Sequence, residues 1–295
     1  MNYNLRKHMI KPNFFILGAA HSGTTSFYHY LLSNPSVFMS LVKEPNYFST
    51  QINKLHKNLK SETKEFTKTE YLELFVNVKN EKIIGEASTR YLYDLCCPNL
   101  INQFNSEANF LIILREPVKR YMSHFSSYYG SQSQKEIKKI ILSEIKEKKE
   151  KIIKPNILNI GCYYEQITNF YKFFSKEKIK ILFFEEIFPN NVKKYIKETL
   201  DIFKIPIHEF EIVKYNQFYQ KPQGITKIIF KNKIMKNILQ ISNMERFATE
   251  QYKKRERKKE QTPQFNKENI KLLQKFYKGP NIDLKKIIDL PSSWE

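Results

Sequence analysis

Two segments of this chain carry residue types able to grip a phosphate-bearing ligand. The first, Gly18-Ala19-Ala20-His21-Ser22-Gly23-Thr24-Thr25-Ser26, follows a short apolar run and opens a helical pattern. A strand-to-helix turn of this kind leaves backbone N–H groups unpaired and points the positive end of the helix dipole at whatever sits there, so it suits an anion. Its two glycines have the spacing of a Walker A loop, with Thr24 where that motif needs lysine. A plain tight turn capped by Ser22 or Thr24 is the alternative. The second segment is Leu114-Arg115-Glu116-Pro117-Val118-Lys119-Arg120-Tyr121-Met122-Ser123. Arg115 ends an apolar run and Ser123 follows two helical turns later, so guanidinium and hydroxyl together can hold an anion. Arg120 is expected to face elsewhere, and taken alone an arginine at position 115 reads as a surface ion-pair residue.

The elements that position these segments alternate. Asn13 to Gly18 reads as a buried parallel strand, and Thr24 to Leu32 as a helix stopped by Ser33-Asn34-Pro35. Residues 51–80 read as a polar surface excursion. Strands are expected over Lys82–Ser88, Asn109–Leu114 and Ile179–Phe184, and helices from Pro117 to about Tyr129, over Gln132–Lys154, Cys162–Phe174 and Asn191–Phe203. Two helices, Lys267–Lys278 and Ile282–Asp289, close the chain. The expected fold class is α/β, a single domain with a central parallel sheet flanked by helices and a P-loop-like phosphate-binding turn. Within residues 1–295 the nucleotide-binding core is placed at 12–210 and a basic loop with the last helices at 211–295.

Composition limits the function classes without choosing one. The 295 residues include 23 Phe and 18 Tyr, enough large side chains for a real core. Fifty Lys plus Arg against 30 Asp plus Glu give a formal charge of +20, which favours polyanions or merely reflects a biased composition. The run QYKKRERKKE at 251–260 and Lys214, Lys221 and Lys227 are candidates for lining an acidic groove. Cys96, Cys97 and Cys162 form neither a disulfide framework nor a metal-ligand spacing. With no apolar run near the roughly 18 residues of a membrane span, no signal-type apolar region and no glycosylation sequon, the expected location is cytoplasmic.

Taken together, the two anion segments resemble the PAPS-dependent sulfotransferase family, in its branch of bacterial and heparan-type carbohydrate enzymes. Ala20-His21-Ser22-Gly23-Thr24-Thr25-Ser26 is similar to the A-R/K-S-G-T-T-S loop, and Arg115, Pro117, Arg120 and Ser123 match L-R-x-P-x-x-R-x-x-S position by position. Lys43-Glu44-Pro45-Asn46-Tyr47-Phe48 resembles K-E-P-x-F-F, and Gly85-Glu86-Ala87-Ser88-Thr89-Arg90-Tyr91-Leu92 resembles G-E-x-S-P-x-Y-L with Thr89 in place of proline. Gly161-Cys162-Tyr163-Tyr164-Glu165-Gln166, the run ILFFEEI and Trp294 also have family counterparts.

The resemblance implies a donor, PAPS, held at its phosphosulfate by Ser22, Gly23, Thr24, Thr25 and Ser26 and at its 3′-phosphate by Arg115 and Ser123, with Tyr163 among the donor contacts. It implies catalytic roles for His21, Glu44 and Lys43, with Glu44 as general base, no obligatory metal, and PAP as the product. The acceptor is a hydroxyl, expected on a sugar or glycan, and no nucleic-acid partner is expected. His21 stands where the family has Lys or Arg; an imidazolium beside a phosphosulfate would serve as leaving-group acid. Two rivals stay open at this point: a P-loop nucleotide kinase or NTPase, and a basic polyanion-binding protein without catalysis.

Overall fold

The structure is a computed structural model that describes residues 10–40, 42–49, 65–150, 156–210, 212 and 263–294. Five strands, β1 (Phe14–Gly18), β2 (Val37–Met39), β3 (Ile83–Ala87), β4 (Asn109–Leu114) and β5 (Ile179–Phe183), form one sheet in the order β2-β3-β1-β4-β5. Every pairing is parallel. The apolar runs of β1 and β4 are continuous because both faces of the sheet are covered. Alternate side chains go to opposite faces: Phe15, Leu17, Phe110 and Ile112 pack with Tyr91, Phe170 and Trp294, while Phe14, Ile16, Leu111 and Ile113 pack with Phe27, Leu31 and Leu200.

The covering helices are α1 (Thr24–Leu32), α2 (Lys68–Glu73), α3 (Cys97–Phe104), α4 (Pro117–Tyr129), α5 (Gln134–Lys149), α6 (Tyr163–Tyr171), α7 (Phe184–Ile187), α8 (Val192–Asp201) and α9 (Lys267–Lys285). Pro117 opens α4, where its missing N–H costs nothing, and the Glu116 side chain accepts from Val118 N and Lys119 N. A separate cluster joins α4, α5 and α9 through Tyr121, Phe125, Ile137, Ile141, Leu273 and Tyr277.

Three departures from the sequence reading concern this frame. The closing pair of helices is one helix, α9, with Pro280 inside it. A mid-helix proline costs about 3 kcal/mol, yet Leu273 and Tyr277 on one side of it and Leu284 on the other are all buried, and that packing carries the helix through. The edge strand β2 was not foreseen, since three residues are too few to show a period. The expected helix at 132–154 is narrower, starting at a capping box of Ser133 and Glu136; its end at 151–154, the basic run at 251–260, and Lys214, Lys221 and Lys227 lie outside the described residues.

All strands being parallel, their carboxyl ends share one edge of the sheet. Strand order reverses between β1 and β4, the kind of position at which open parallel sheets bind ligands. His21 follows β1 and Arg115 follows β4 at that point.

Candidate active site

The loop after β1 is shaped by its backbone. Gly23 has φ 80°, and a Cβ there would meet Phe188 Cε2 at 2.6 Å, so glycine is required both for conformation and for close approach of the loop to the aromatic pair Phe184 and Phe188. Gly23 is also the N-cap of α1, and no side chain caps the helix, so its first-turn N–H groups are left for another acceptor. Thr24 and Ser26 are buried and Thr25 half-buried along that turn. Ser22 is fully buried, and its Oγ has no hydrogen-bond partner.

Arg115 reaches back to the same loop. Its Nη1 donates to His21 O at 3.1 Å, its guanidinium carbon lies 4.5 Å from the centre of the Phe184 ring, and its Nε is buried without a partner. Burial holds its proton affinity below the usual arginine range, with Glu185 the largest opposing charge. The segment is fixed from two sides. Tyr163, buried, donates from its hydroxyl to Arg115 O at 2.9 Å, and Glu116 N donates to Glu185 Oε1 at 3.0 Å. Glu185 Oε2 in turn accepts from Trp294 Nε1 at 3.1 Å.

His21, at φ 67°, sits between the two segments. Ser123 Oγ is 3.4 Å from its Nδ1 and Ser127 Oγ 3.3 Å from its Nε2, both from α4. Its ring stacks on His124, with centroids 4.3 Å apart. Arg120, fully buried and turned into the helical cluster, donates to Ile157 O and to His124 Nδ1, the latter at 3.2 Å. A guanidinium only donates, so His124 Nδ1 is an acceptor and that ring is neutral. Burial first, then the neighbouring His21 and Arg120, push the His124 pKa down to about 2.

Lys43 and Glu44 follow β2. Lys43 Nζ is 2.6 Å from Glu44 Oε1, and Thr89 N donates to Glu44 Oε2 at 2.7 Å. The Glu44 backbone is left-handed, at φ 61°, and is tied to the sheet by its own N–H on Ala87 O at 2.9 Å. Beneath it lies a wholly buried carboxylate, Glu86, which accepts from Tyr71 OH (2.7 Å), Tyr91 OH (2.8 Å) and Ser88 Oγ (2.7 Å). Desolvation raises the Glu86 pKa to about 7 against the pull of those three donors.

The loop residues, His21, Arg115 and Ser123 thus meet in one place, while Tyr163 touches it through the Arg115 carbonyl. Sequence reasoning included Glu86 and Glu185 in family-like segments without giving either a role, and it gave none to His124 or Ser127. Ser127 was within reach, because it lies one helical turn after Ser123 and therefore on the same face. Among the described residues no group of three or more His, Cys, Asp or Glu is placed to hold a metal ion, and no helix is long and apolar enough to cross a membrane.

Comparison with known proteins bears on the family and the fold. A family model described as the sulfotransferase domain matches residues 11–290. The chain is 32% identical to the membrane-associated sulfotransferase kil1 of Dictyostelium discoideum, over 41% of this chain and 24% of that one. It is 27% identical to carbohydrate sulfotransferase 15 of Rattus norvegicus, over 41% of this chain and 28% of that one, so it spans only about a quarter of the length of these relatives. The fold matches a crystal structure of a sulfotransferase from Alicyclobacillus acidocaldarius at TM-score 0.65 and 22% identity, covering 97% of this chain and 99% of that one. With the family model running almost from end to end, the chain belongs to the sulfotransferase domain family.

Proposed function

We propose that this chain transfers a sulfuryl group from PAPS to a hydroxyl group of a carbohydrate. One observation carries the donor: Ser22 Oγ and Arg115 Nε, both buried and both without a partner, belong to the same small region around the loop after β1. Two orphaned donors beside an uncapped helix N-terminus are costly unless an anion satisfies them, so the residues fit a phosphate-bearing ligand. The first turn of α1 with Ser22 would hold the phosphosulfate, and Arg115 with Ser123 the 3′-phosphate. Tyr163 serves by fixing the backbone of Arg115.

PAPS supplies the sulfuryl group and departs as PAP. Glu44 takes the proton of the acceptor hydroxyl as its oxygen bonds to sulfur, and Lys43 is the cation beside that carboxylate. His21, as imidazolium, gives a proton to the oxygen left behind when the S–O bond breaks. A carbohydrate acceptor is favoured by the similarity to carbohydrate sulfotransferase 15, and a cytoplasmic location by the three free cysteines.

Calorimetric titration with PAP at modest ionic strength, followed by an acceptor screen with labelled PAPS, tests the reading. Saturable PAP binding and label on a sugar hydroxyl are expected. Magnesium-dependent ATP hydrolysis without PAP affinity would replace it with the NTPase reading that Thr24, standing where a lysine would be, speaks against.

A further inference from the structure

Glu44 has a neighbour that the family pattern would not supply. The segment Gly85 to Leu92 resembles G-E-x-S-P-x-Y-L, but position 89 is threonine. A proline has neither an amide hydrogen nor a hydroxyl. Thr89 uses both on one carboxylate: its N–H donates to Glu44 Oε2 at 2.7 Å, and its Oγ1 lies 3.2 Å from Oε2 and 3.3 Å from Oε1. With Lys43 on Oε1 at 2.6 Å, both oxygens of Glu44 are held.

The two holders differ in rigidity. Lys43 is a long, partly exposed side chain next in sequence to Glu44, free to exchange its contact with water. Thr89 is rigidly placed. It lies two residues after β3, and the intervening Ser88 is buried, donating to Glu86 Oε2 at 2.7 Å and accepting from Asn46 N at 3.1 Å. The same bonds tie down the turn that carries Glu44, whose neighbour Asn46 is also left-handed at φ 54°. A base in a strained turn needs its carboxylate plane set from outside that turn, since small misplacements of a reacting group are costly.

From this geometry we infer that Thr89 is a positioning residue for Glu44, orienting the carboxylate by paired backbone and hydroxyl donation in a way that proline at the same place does not. The inference rests on Glu44 acting as base.

Three substitutions and one control test it in the full chain, with steady-state rates against PAPS and acceptor and PAP affinity by calorimetry. T89S keeps both donors and should match the parent. T89V keeps the shape and the N–H but loses the hydroxyl, and kcat should fall about 3-fold; T89P loses both donors, and kcat should fall roughly 10-fold or more with PAP affinity unchanged. A residue that mattered only for packing would give the reverse order, with T89V parent-like and T89S impaired, and that result, or a T89P variant turning over like the parent, overturns the inference. E44Q separates the two readings: if it retains parental turnover, Glu44 is not the base and the reading beneath fails, whereas an inactive E44Q beside a fully active T89P removes only the role of Thr89.

Discussion

His21 and His124 lie face to face, ring centroids 4.3 Å apart and planes inclined by 27°. The pair is asymmetric, because Arg120 donates to His124 and fixes that ring as neutral, while the ring of His21 spans two serine hydroxyls that can accept from an imidazolium or donate to an imidazole. His124 is therefore held in one charge state by its partner, whereas both ring nitrogens of His21 have hydroxyl neighbours. That matches a role at the loop for His21 and a wall-like role for His124.

The first prediction concerns this charge. If the imidazolium of His21 assists departure, turnover should decline as rising pH removes that proton. H21K should keep activity and lose that decline, and H21A should fall roughly 100-fold. Rates across the pH range check this; an H21A protein as fast as the parent at every pH removes His21 from the chemistry.

Arg115 offers a second prediction, because its planar head makes two different contacts, an N–H bond to His21 O and a face on Phe184. A lysine can copy neither together. R115K should weaken PAP binding by about 1.5–3 kcal/mol, the worth of a hydrogen bond to a charged group, which is roughly a 10- to 150-fold rise in Kd. Calorimetry measures it directly, and an unchanged Kd would place the 3′-phosphate elsewhere.

A third prediction follows from Glu86. Its folded pKa, about 7, is raised above the unfolded carboxylate value, so the folded state binds the proton more tightly. The associated stability is fully present below the unfolded pKa and is lost as pH rises through about 7. Between about pH 5 and pH 8 the parent should thus lose thermal stability relative to E86Q, which has no such proton to release. Paired melting curves across that range check the sign; a difference that does not change with pH contradicts it.

The legibility of these features in the sequence follows from how local their causes are. β1 and β4 announce themselves because a buried parallel strand needs an unbroken apolar run, and Gly18 to Ser26 because a turn onto a helix needs its glycines in place. The contacts of Arg115 with His21 and of Ser123 with the same ring are set by strand order, which brings the loop after β1 beside the loop after β4 from 94 residues away. Glu86 was hidden for another reason: a charged residue in a strand reads as solvent-facing, and its burial is tolerable through the hydroxyls of Ser88 and Tyr91 just beyond the strand and of Tyr71 from α2. The continuation of α9 through Pro280 was likewise a tertiary outcome, decided by what Leu273, Tyr277 and Leu284 cover.

The last prediction runs from the end of the chain to the donor grip. Trp294 packs edge-on against Phe183, with ring centroids 5.4 Å apart, and donates its indole N–H to Glu185, whose other oxygen accepts the N–H of Glu116. Glu116 in turn accepts from Val118 N at 2.9 Å and Lys119 N at 2.8 Å, fixing the start of α4 two residues after Arg115. W294F keeps an aromatic ring and removes the N–H, leaving one Glu185 oxygen without its donor. That carboxylate, whose charge already acts on Arg115, is then free to turn toward the guanidinium and compete with a phosphate for it. A loss of about 1 kcal/mol, roughly 5-fold in PAP affinity with kcat unchanged, is the expected result by calorimetry and saturation kinetics. Parental affinity in W294F would mean that Glu185 holds its place through Glu116 alone and that the end of the chain does not tune the grip.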